Sequence, residues 1–209
     1  MRTNVYVDGF NLYYGCLRHT PFKWLDLAAF CYQVLPTLAI QRIRYFTAHV
    51  RAPVNDPGKP QRQQTYLRAL RTIPGLTVHL GTFLSHPAIM PLAHPVPGGP
   101  QTAEIIRTDE KGSDVNLASY LLVDGYEGDY DIAVVVSNDS DLTTPIQLVR
   151  QKLGLKVGVV NPQMSKHVSW ALKNAADFYR DVHRTSLVAS QFPPTLRDLH
   201  GTITKPAGW

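Results

Sequence analysis

The chain has 209 residues, of which 44% are hydrophobic and 18% charged, and its formal net charge at pH 7 is +5. This composition fits one globular domain and excludes disordered and fibrous proteins. The longest aliphatic run, Ile132–Val136, is far shorter than the roughly 20 apolar residues of a membrane-spanning helix.

The N-terminal residues lead directly into a strand-like run and lack the apolar stretch of a secretory signal. The only two cysteines, Cys16 and Cys31, form neither a CxxC metal motif nor a disulfide framework. We therefore expect a cytoplasmic protein that does not associate with membranes.

Apolar runs alternate with amphipathic segments along the chain. The runs predict β-strands at residues 4–7, 43–50, 76–84, 131–137 and 156–160. Apolar residues at helical spacing predict helices at residues 25–35, 61–72, 114–123 and 142–153. This alternation indicates an α/β fold with a mainly parallel central sheet flanked by helices.

Two segments depart from the alternation. Residues 85–101 contain five prolines and two adjacent glycines, which predicts a long loop within a domain that spans residues 1–185. Residues 186–209 predict an extended tail that docks on this domain, because Phe192, Leu196, Ile203 and Trp209 would otherwise face water. Free disorder of the tail is the alternative.

Charge is unevenly distributed. In residues 18–71 the only acids are Asp26 and Asp56, against nine basic residues: Arg18, Lys23, Arg42, Arg44, Arg51, Lys59, Arg62, Arg68 and Arg71. Residues 104–141 are predominantly acidic. A basic region suits a polyanion such as a nucleic acid, and the acidic region would bind a cation. Two solvated faces of opposite sign would give the same pattern.

Acidic and amide side chains follow two of the predicted strands. Asp8 and Asn11 come after the first strand. Ser137 ends the strand at residues 131–137, and Asn138, Asp139 and Asp141 follow it. Asp114 stands at the start of a predicted helix. The carboxyl ends of parallel strands share one edge of a sheet, where ligands bind. Singly, each acid could cap a helix or a turn. Together they would repel one another unless a divalent cation, Mg²⁺ or Mn²⁺, offsets their charge.

Three motifs, VYVDGFN at residues 5–11, KGSDVNLASYLL at 111–122 and VVVSNDSDL at 134–142, resemble those of the NYN family of PIN-like nucleases. The resemblance implies a three-layer PIN-like fold and metal-dependent hydrolysis of RNA phosphodiester bonds. It assigns the metal acids to Asp8, Asp114, Asp139 and Asp141, and makes Asn11 a polar catalytic partner. Ser137 and Asn138 would orient ligands or substrate.

Substrate affinity is expected to come from the basic region. We predict a phosphate track formed by Arg42, Arg44, Arg62, Arg68 and Arg71, with Lys111 nearer the acids. Tyr13 and Tyr14 are candidates for stacking on the bases of single-stranded RNA.

The sequence thus predicts a metal-dependent ribonuclease. An RNA-binding or regulatory protein without turnover is the first alternative, and a metal-dependent phosphatase or nucleotide hydrolase is the second. The residues leave open the physiological RNA, endonucleolytic or exonucleolytic cleavage, activity on DNA, the number of metal ions, formation of a homo-oligomer and the presence of an inhibitory partner.

Overall fold

The computed structural model describes residues 1–164 and 167–209. The strands are β1 (Arg2–Asp8), β2 (Ala39–Ala48), β3 (Leu76–Pro91), β4 (Thr102–Lys111), β5 (Ile132–Val136), β6 (Lys156–Asn161), β7 (Phe178–Asp181), β8 (Thr195–Asp198) and β9 (Gly201–Thr204). The α-helices are α1 (Gly9–Leu12), α2 (Leu27–Val34), α3 (Lys59–Leu70), α4 (Ser113–Tyr126), α5 (Thr143–Leu153), α6 (Trp170–Ala175) and α7 (Arg184–Ala189). A π-helical turn (Tyr13–Leu17) follows α1, and a 3₁₀ turn (Ser140–Leu142) precedes α5. None of the helices in the described ranges is long and apolar enough to span a bilayer.

Seven strands form one sheet in the order β4-β3-β2-β1-β5-β6-β7. Every neighbouring pair is parallel except β3 and β4, which are antiparallel. The chain moves outward in one direction through β2 and β3, and in the other direction through β5, β6 and β7. The strand order therefore reverses beside β1, and ligands of open α/β sheets bind at the carboxyl edge of such a reversal.

Alternation along the central strands divides the core into two layers. On β1, Val5 and Val7 face one apolar cluster, whereas Tyr6 faces the other. On β5, Val134 and Val136 join the first cluster, and Val135 joins the second. Helices cover both faces, so β5 is buried along its whole length and β1 is buried from Thr3 onward. The predicted α/β fold with a mainly parallel sheet is confirmed.

The proline-rich segment is not a loop throughout, as the sequence predicted. Ser85–Pro91 continue β3 and pair with β4 in a long antiparallel hairpin, so the connecting loop covers only residues 92–101. Beyond Gly81, β3 no longer pairs with β2. In this part of β3, the N–H groups that point away from β4 take no part in the ladder of the sheet. Prolines such as Pro87 and Pro91, which have no N–H group, are therefore tolerated there. Composition alone hides this distinction.

The C-terminal segment packs against the first core layer. After α7, strands β8 and β9 form a small antiparallel hairpin. Phe192 and Ile203 are buried, and the Trp209 ring lies 5.8 Å from the ring of Tyr66 between centroids. The segment thereby brings Trp209 toward the carboxyl edge of the sheet.

Candidate functional site

Three of the predicted acids line one open cavity of about 380 Å³ at the carboxyl edge of the sheet. Asp8 is the last residue of β1, Asp114 lies in the first turn of α4, and Asp139 follows β5. Val7 and Val136 are paired in the parallel ladder, which places the ends of β1 and β5 side by side. Residues that are far apart in the sequence therefore share one wall.

Asp8 is buried and held by three hydrogen bonds. The Asn11 backbone N–H donates to Oδ1 at 2.9 Å, the Asn11 Nδ2 donates to Oδ2 at 2.8 Å, and the Ser137 hydroxyl donates to Oδ2 at 3.0 Å. Asp8 also caps α1 through the first of these bonds. A carboxylate accepts about four hydrogen bonds, so Oδ1 keeps the capacity for one more partner.

The segment after β5 extends this network. The Asn138 backbone N–H donates to Asn11 Oδ1 at 3.3 Å, and the Asp139 N–H donates to the Ser137 oxygen at 3.1 Å. Asp139 in turn accepts from the Asp141 N–H at 3.0 Å and caps the 3₁₀ turn. Ser137, Asn138 and Asn11 thus fix Asp8 and Asp139 in place, which suits the orienting role predicted for them.

The start of α4 places Asp114 and brings in an unpredicted acid. Gly112 adopts a left-handed conformation with φ of 98°, which turns the chain from β4 into the helix. The Glu110 carboxylate accepts from the Ser113 N–H at 3.1 Å and from its hydroxyl at 2.8 Å, so it satisfies the helix start in place of a conventional cap. Asp114 is therefore left to face the cavity.

Residues missed in the sequence complete the cavity. Glu110 and Thr108 on β4 and Phe83 on β3 line it, together with Phe10, whose ring meets that of Phe83 edge-on at 5.8 Å. The loop predicted at residues 85–101 conceals the hairpin that brings Thr108 and Glu110 to the site. Phe10 and Phe83 are apolar and carry no chemical signal of a site in the sequence. The β-branched residues at 102, 105, 106 and 108 are the available signal for β4.

Negative charge is crowded in this cavity. Burial raises the pKa of Asp8, although hydrogen bonds from Asn11 and Ser137 oppose that shift. The pKa of Asp114 is raised to about 6, first by partial burial and then by the charges of Asp8 and Asp139. Glu110 and Asp141 add smaller contributions to the same shift. Asp141 itself is exposed and is not part of the cavity wall that the structure describes.

The donor set is suitable for a hard divalent cation. The cavity offers carboxylate oxygens, which Mg²⁺ and Mn²⁺ prefer. No three His, Cys, Asp or Glu side chains within residues 1–164 and 167–209 are arranged to ligate one ion directly. Mg²⁺ usually keeps several waters and binds through one or two carboxylates, so the arrangement is compatible with a hydrated ion. Metal binding by Asp8, Asp114, Asp139 and Asp141 stays a prediction.

The predicted phosphate track does not form a continuous surface. Arg44 is buried, and its guanidinium binds the Asp124 carboxylate through two contacts of 2.7 Å beneath the Tyr120 ring. Its assignment to RNA binding is wrong, because a buried, paired guanidinium cannot reach a phosphate. Arg42 pairs with Asn4 in the parallel ladder, four residues before Asp8, and forms an ion pair with Asp129. It therefore lies toward the opposite end of the sheet.

The other predicted RNA contacts are dispersed. Arg68 binds Asp198 of the C-terminal segment, and Arg71 lines a separate cavity beside it. Lys111 is exposed at the end of β4 but is not among the described residues that line the acidic cavity. Tyr14 does line it, whereas Tyr13 and Arg62 line a neighbouring pocket. The residues predicted to contact RNA therefore do not all line one groove.

The family model of the NYN domain matches residues 2–183, which is most of the chain and includes every acid of the cavity. The chain belongs to the NYN domain family. The resemblance noted in the sequence is thereby confirmed.

Two individual proteins are similar to this NYN domain. The 6-hydroxy-3-succinoylpyridine 3-monooxygenase HspA of Pseudomonas putida is 31% identical over 236 aligned positions, which cover all of this chain and 75% of that protein. A crystal structure of a protein of unknown function from Vibrio parahaemolyticus superposes with a TM-score of 0.55 at 20% identity, covering 91% of this chain and 96% of the other. The second likeness supports the fold alone.

Proposed function

We propose that this NYN domain hydrolyses phosphodiester bonds of single-stranded RNA at the acidic cavity. The observation that supports the proposal is the convergence of Asp8, Asp114 and Asp139 from three separate elements on one open cavity. Such crowding raises the pKa of Asp114 and destabilises the fold, so a purely structural role is a poor explanation for it. The sequence motifs of the family favour the same activity.

Each residue has a task that follows from its position. Asp8, with one acceptor position open on Oδ1, and Asp114 or Asp139 would hold a hydrated Mg²⁺ or Mn²⁺. Such an ion, when bound, supplies a more acidic water and neutralises charge on the phosphate. Asn11, Ser137 and Asn138 keep the carboxylates oriented, and the exposed Tyr14 at the cavity offers a ring face to a base.

Cleavage of a labelled, unstructured RNA tests the proposal. The purified protein with Mg²⁺ or Mn²⁺ should cut the RNA, and EDTA should abolish cleavage. Asp8→Asn and Asp139→Asn should each lower the rate of RNA cleavage by at least about a hundredfold. Each change removes a carboxylate that would hold the divalent ion, and the charge that develops in the transition state is then stabilised less well. Asp131→Asn, which alters an exposed ion pair with Arg2 away from the cavity, serves as the matched control and should cleave normally.

Three results would contradict the proposal. Equal cleavage by Asp8→Asn would indicate a contaminating nuclease. Tight RNA binding without cleavage in any divalent metal would favour the RNA-binding or regulatory alternative. Turnover of a free nucleotide with RNA left intact would favour the phosphatase alternative.

A second candidate is hydroxylation of a small heteroaromatic compound. The similarity of the whole chain to 75% of a protein named as a monooxygenase of a substituted pyridine favours it. A largely apolar pocket lined by aromatic side chains also adjoins the acidic cavity and shares Phe10 and Tyr14 with it. The two candidates differ in co-substrates, since monooxygenation consumes dioxygen and a reductant, whereas hydrolysis consumes water.

A direct comparison separates the two activities. The protein is incubated with 6-hydroxy-3-succinoylpyridine and NADH or NADPH, either in air or under ¹⁸O₂, and the products are measured by mass spectrometry. Incorporation of ¹⁸O from dioxygen would establish the oxygenase. RNA cleavage under nitrogen, with no change in the pyridine in air, would establish the nuclease.

A further inference from the structure

The pocket beside the acidic cavity is lined mainly by aromatic side chains, and we call it the aromatic pocket. Its walls include Phe10, Tyr13, Tyr14, Tyr45, Tyr66 and Trp209. Neighbouring rings contact one another edge-on, with interplanar angles of 79° for Tyr13 and Tyr14, 88° for Tyr45 and Tyr66, and 63° for Tyr66 and Trp209. Tyr45 and Tyr66 are buried, whereas Tyr14 is exposed and can stack against a flat guest in an offset arrangement.

The same pocket contains two cations without an ion-pair partner among the described residues. Lys23 and Lys59 are half-buried in its otherwise largely apolar lining, and neither belongs to any ion pair within residues 1–164 and 167–209. Both also line the adjoining polar pocket with Arg18 and Arg62, where Asp56 is the single acid among the lining residues that the structure describes. A half-buried ammonium group beside apolar walls favours an anion of opposite charge.

The enclosed volume limits the size of the guest. The aromatic pocket encloses about 70 Å³, about half of the ~150 Å³ cavity that accepts a whole benzene molecule. The pocket therefore takes only one edge of a six-membered ring, and the substituents of the ring remain at the mouth of the pocket. A purine, with two fused rings, would fit less well than a single ring.

We propose that the aromatic pocket binds a six-membered heteroaromatic ring of the substrate, while Lys23 and Lys59 bind an anionic group on the same molecule. Phe10 and Tyr14 line both this pocket and the acidic cavity, so the ring lies next to the carboxylates. The inference rests on the proposed function only in treating the ring and the reacting group as parts of one substrate. Ring binding itself requires neither a metal ion nor turnover.

Two sources can supply this chemistry. One is a pyrimidine nucleotide within RNA, whose phosphate is the anion. The other is a free pyridine-type acid, whose carboxylate is the anion. Cytidine 5′-monophosphate and pyridine-3-carboxylate represent them, and each has a probe that lacks the charge, cytidine and pyridine-3-carboxamide. Ribose 5-phosphate and cyclohexanecarboxylate carry the anion without an aromatic ring.

Calorimetric or NMR titration in EDTA with the full chain tests the proposal. Both charged aromatic probes should bind roughly tenfold more tightly than their uncharged or non-aromatic counterparts, as expected for a charged hydrogen bond or a stacked ring. The tighter of the two identifies the source. Adenosine 5′-monophosphate should bind more weakly than the cytidine nucleotide.

Variants locate the binding. Lys59→Ala should weaken the charged probes by about tenfold and leave the uncharged ones nearly unchanged. Trp209→Ala should weaken all aromatic probes by about tenfold, whereas Trp209→Phe should retain most of the affinity. Lys152→Ala and Trp170→Ala replace exposed residues on other helices and serve as matched controls. Thermal melting verifies that each variant is folded.

The outcomes separate this inference from the catalytic one. Asp8→Asn should abolish RNA cleavage but retain ring binding. Binding of both aromatic anions no tighter than that of their non-aromatic counterparts, ribose 5-phosphate and cyclohexanecarboxylate, would overturn the inference, as would unchanged or tighter binding of the aromatic probes by Trp209→Ala. Ring binding that survives without RNA cleavage would leave the inference standing and contradict the proposed nuclease activity.

Discussion

Replacing Asp114 by Asn should make the metal-free protein more stable at neutral pH. The pKa of Asp114 is raised from 3.8 to about 6, with partial burial as the first cause and the charges of Asp8 and Asp139 next. A shift of about two units corresponds to an upper limit of about 3 kcal/mol at about 1.4 kcal/mol per unit. Asp114 is half-exposed, so solvent screening reduces this value, and we expect a gain of about 1–2 kcal/mol.

The contribution of Asp114 to the free energy of unfolding depends on pH. The pKa of Asp114 is higher in the folded state than in the unfolded state, so between about pH 4 and pH 6 the folded protein binds more protons. Stability contributed by the neutral form is complete below pH 4 and is lost as pH rises through about 6. Asp114→Asn should therefore differ from the wild-type protein at pH 7.5 and match it near pH 4.

Urea unfolding in EDTA at the two pH values measures the effect. Asp198→Asn is a matched control of opposite sign, because a hydrogen bond from Arg68 lowers the pKa of Asp198 to about 2 and its removal should destabilise the fold at neutral pH. A gain for Asp114→Asn that is equal at pH 4 and pH 7.5 would refute the electrostatic reasoning. Millimolar Mg²⁺ should raise the melting temperature of the wild-type protein more than that of Asp114→Asn.

Three further predictions concern the rest of the molecule. Asp124→Ala should lower the free energy of unfolding by about 3–5 kcal/mol, because it leaves buried Arg44 unpaired; in urea unfolding, a loss under 1 kcal/mol would contradict this. Arg42→Ala should leave both RNA affinity and its salt dependence unchanged in fluorescence anisotropy, because Arg42 lies away from the acidic cavity. A reduced salt slope would return Arg42 to the RNA-binding surface. Ile203→Ala should cost about 2–5 kcal/mol in thermal or urea unfolding, because β9 buries this side chain in the first core layer; a loss under 0.5 kcal/mol would show that the C-terminal segment adds little to stability.

The sequence alone determined the fold class and the main acids. Apolar runs at 4–7 and 131–137 predicted the two central strands, since a strand that is buried on both faces has no polar alternation to obscure it. Because parallel strands share a carboxyl edge, the sequence places Asp8 and Asp139 together. The helix predicted at residues 114–123 places Asp114 in its first turn, and the family motif includes the same residue.

The tertiary structure decided which charges are free and which elements form the walls. Arg44 reads as a surface cation in sequence, but the sheet turns it against Asp124 in the core. Prolines predicted a loop where an unpaired strand edge tolerates them, so the hairpin that brings Thr108 and Glu110 to the cavity was missed. Trp209 reaches Tyr66 only because the C-terminal hairpin folds back. Local patterns fix which face of an element is apolar, but the partner across that face depends on packing between distant segments.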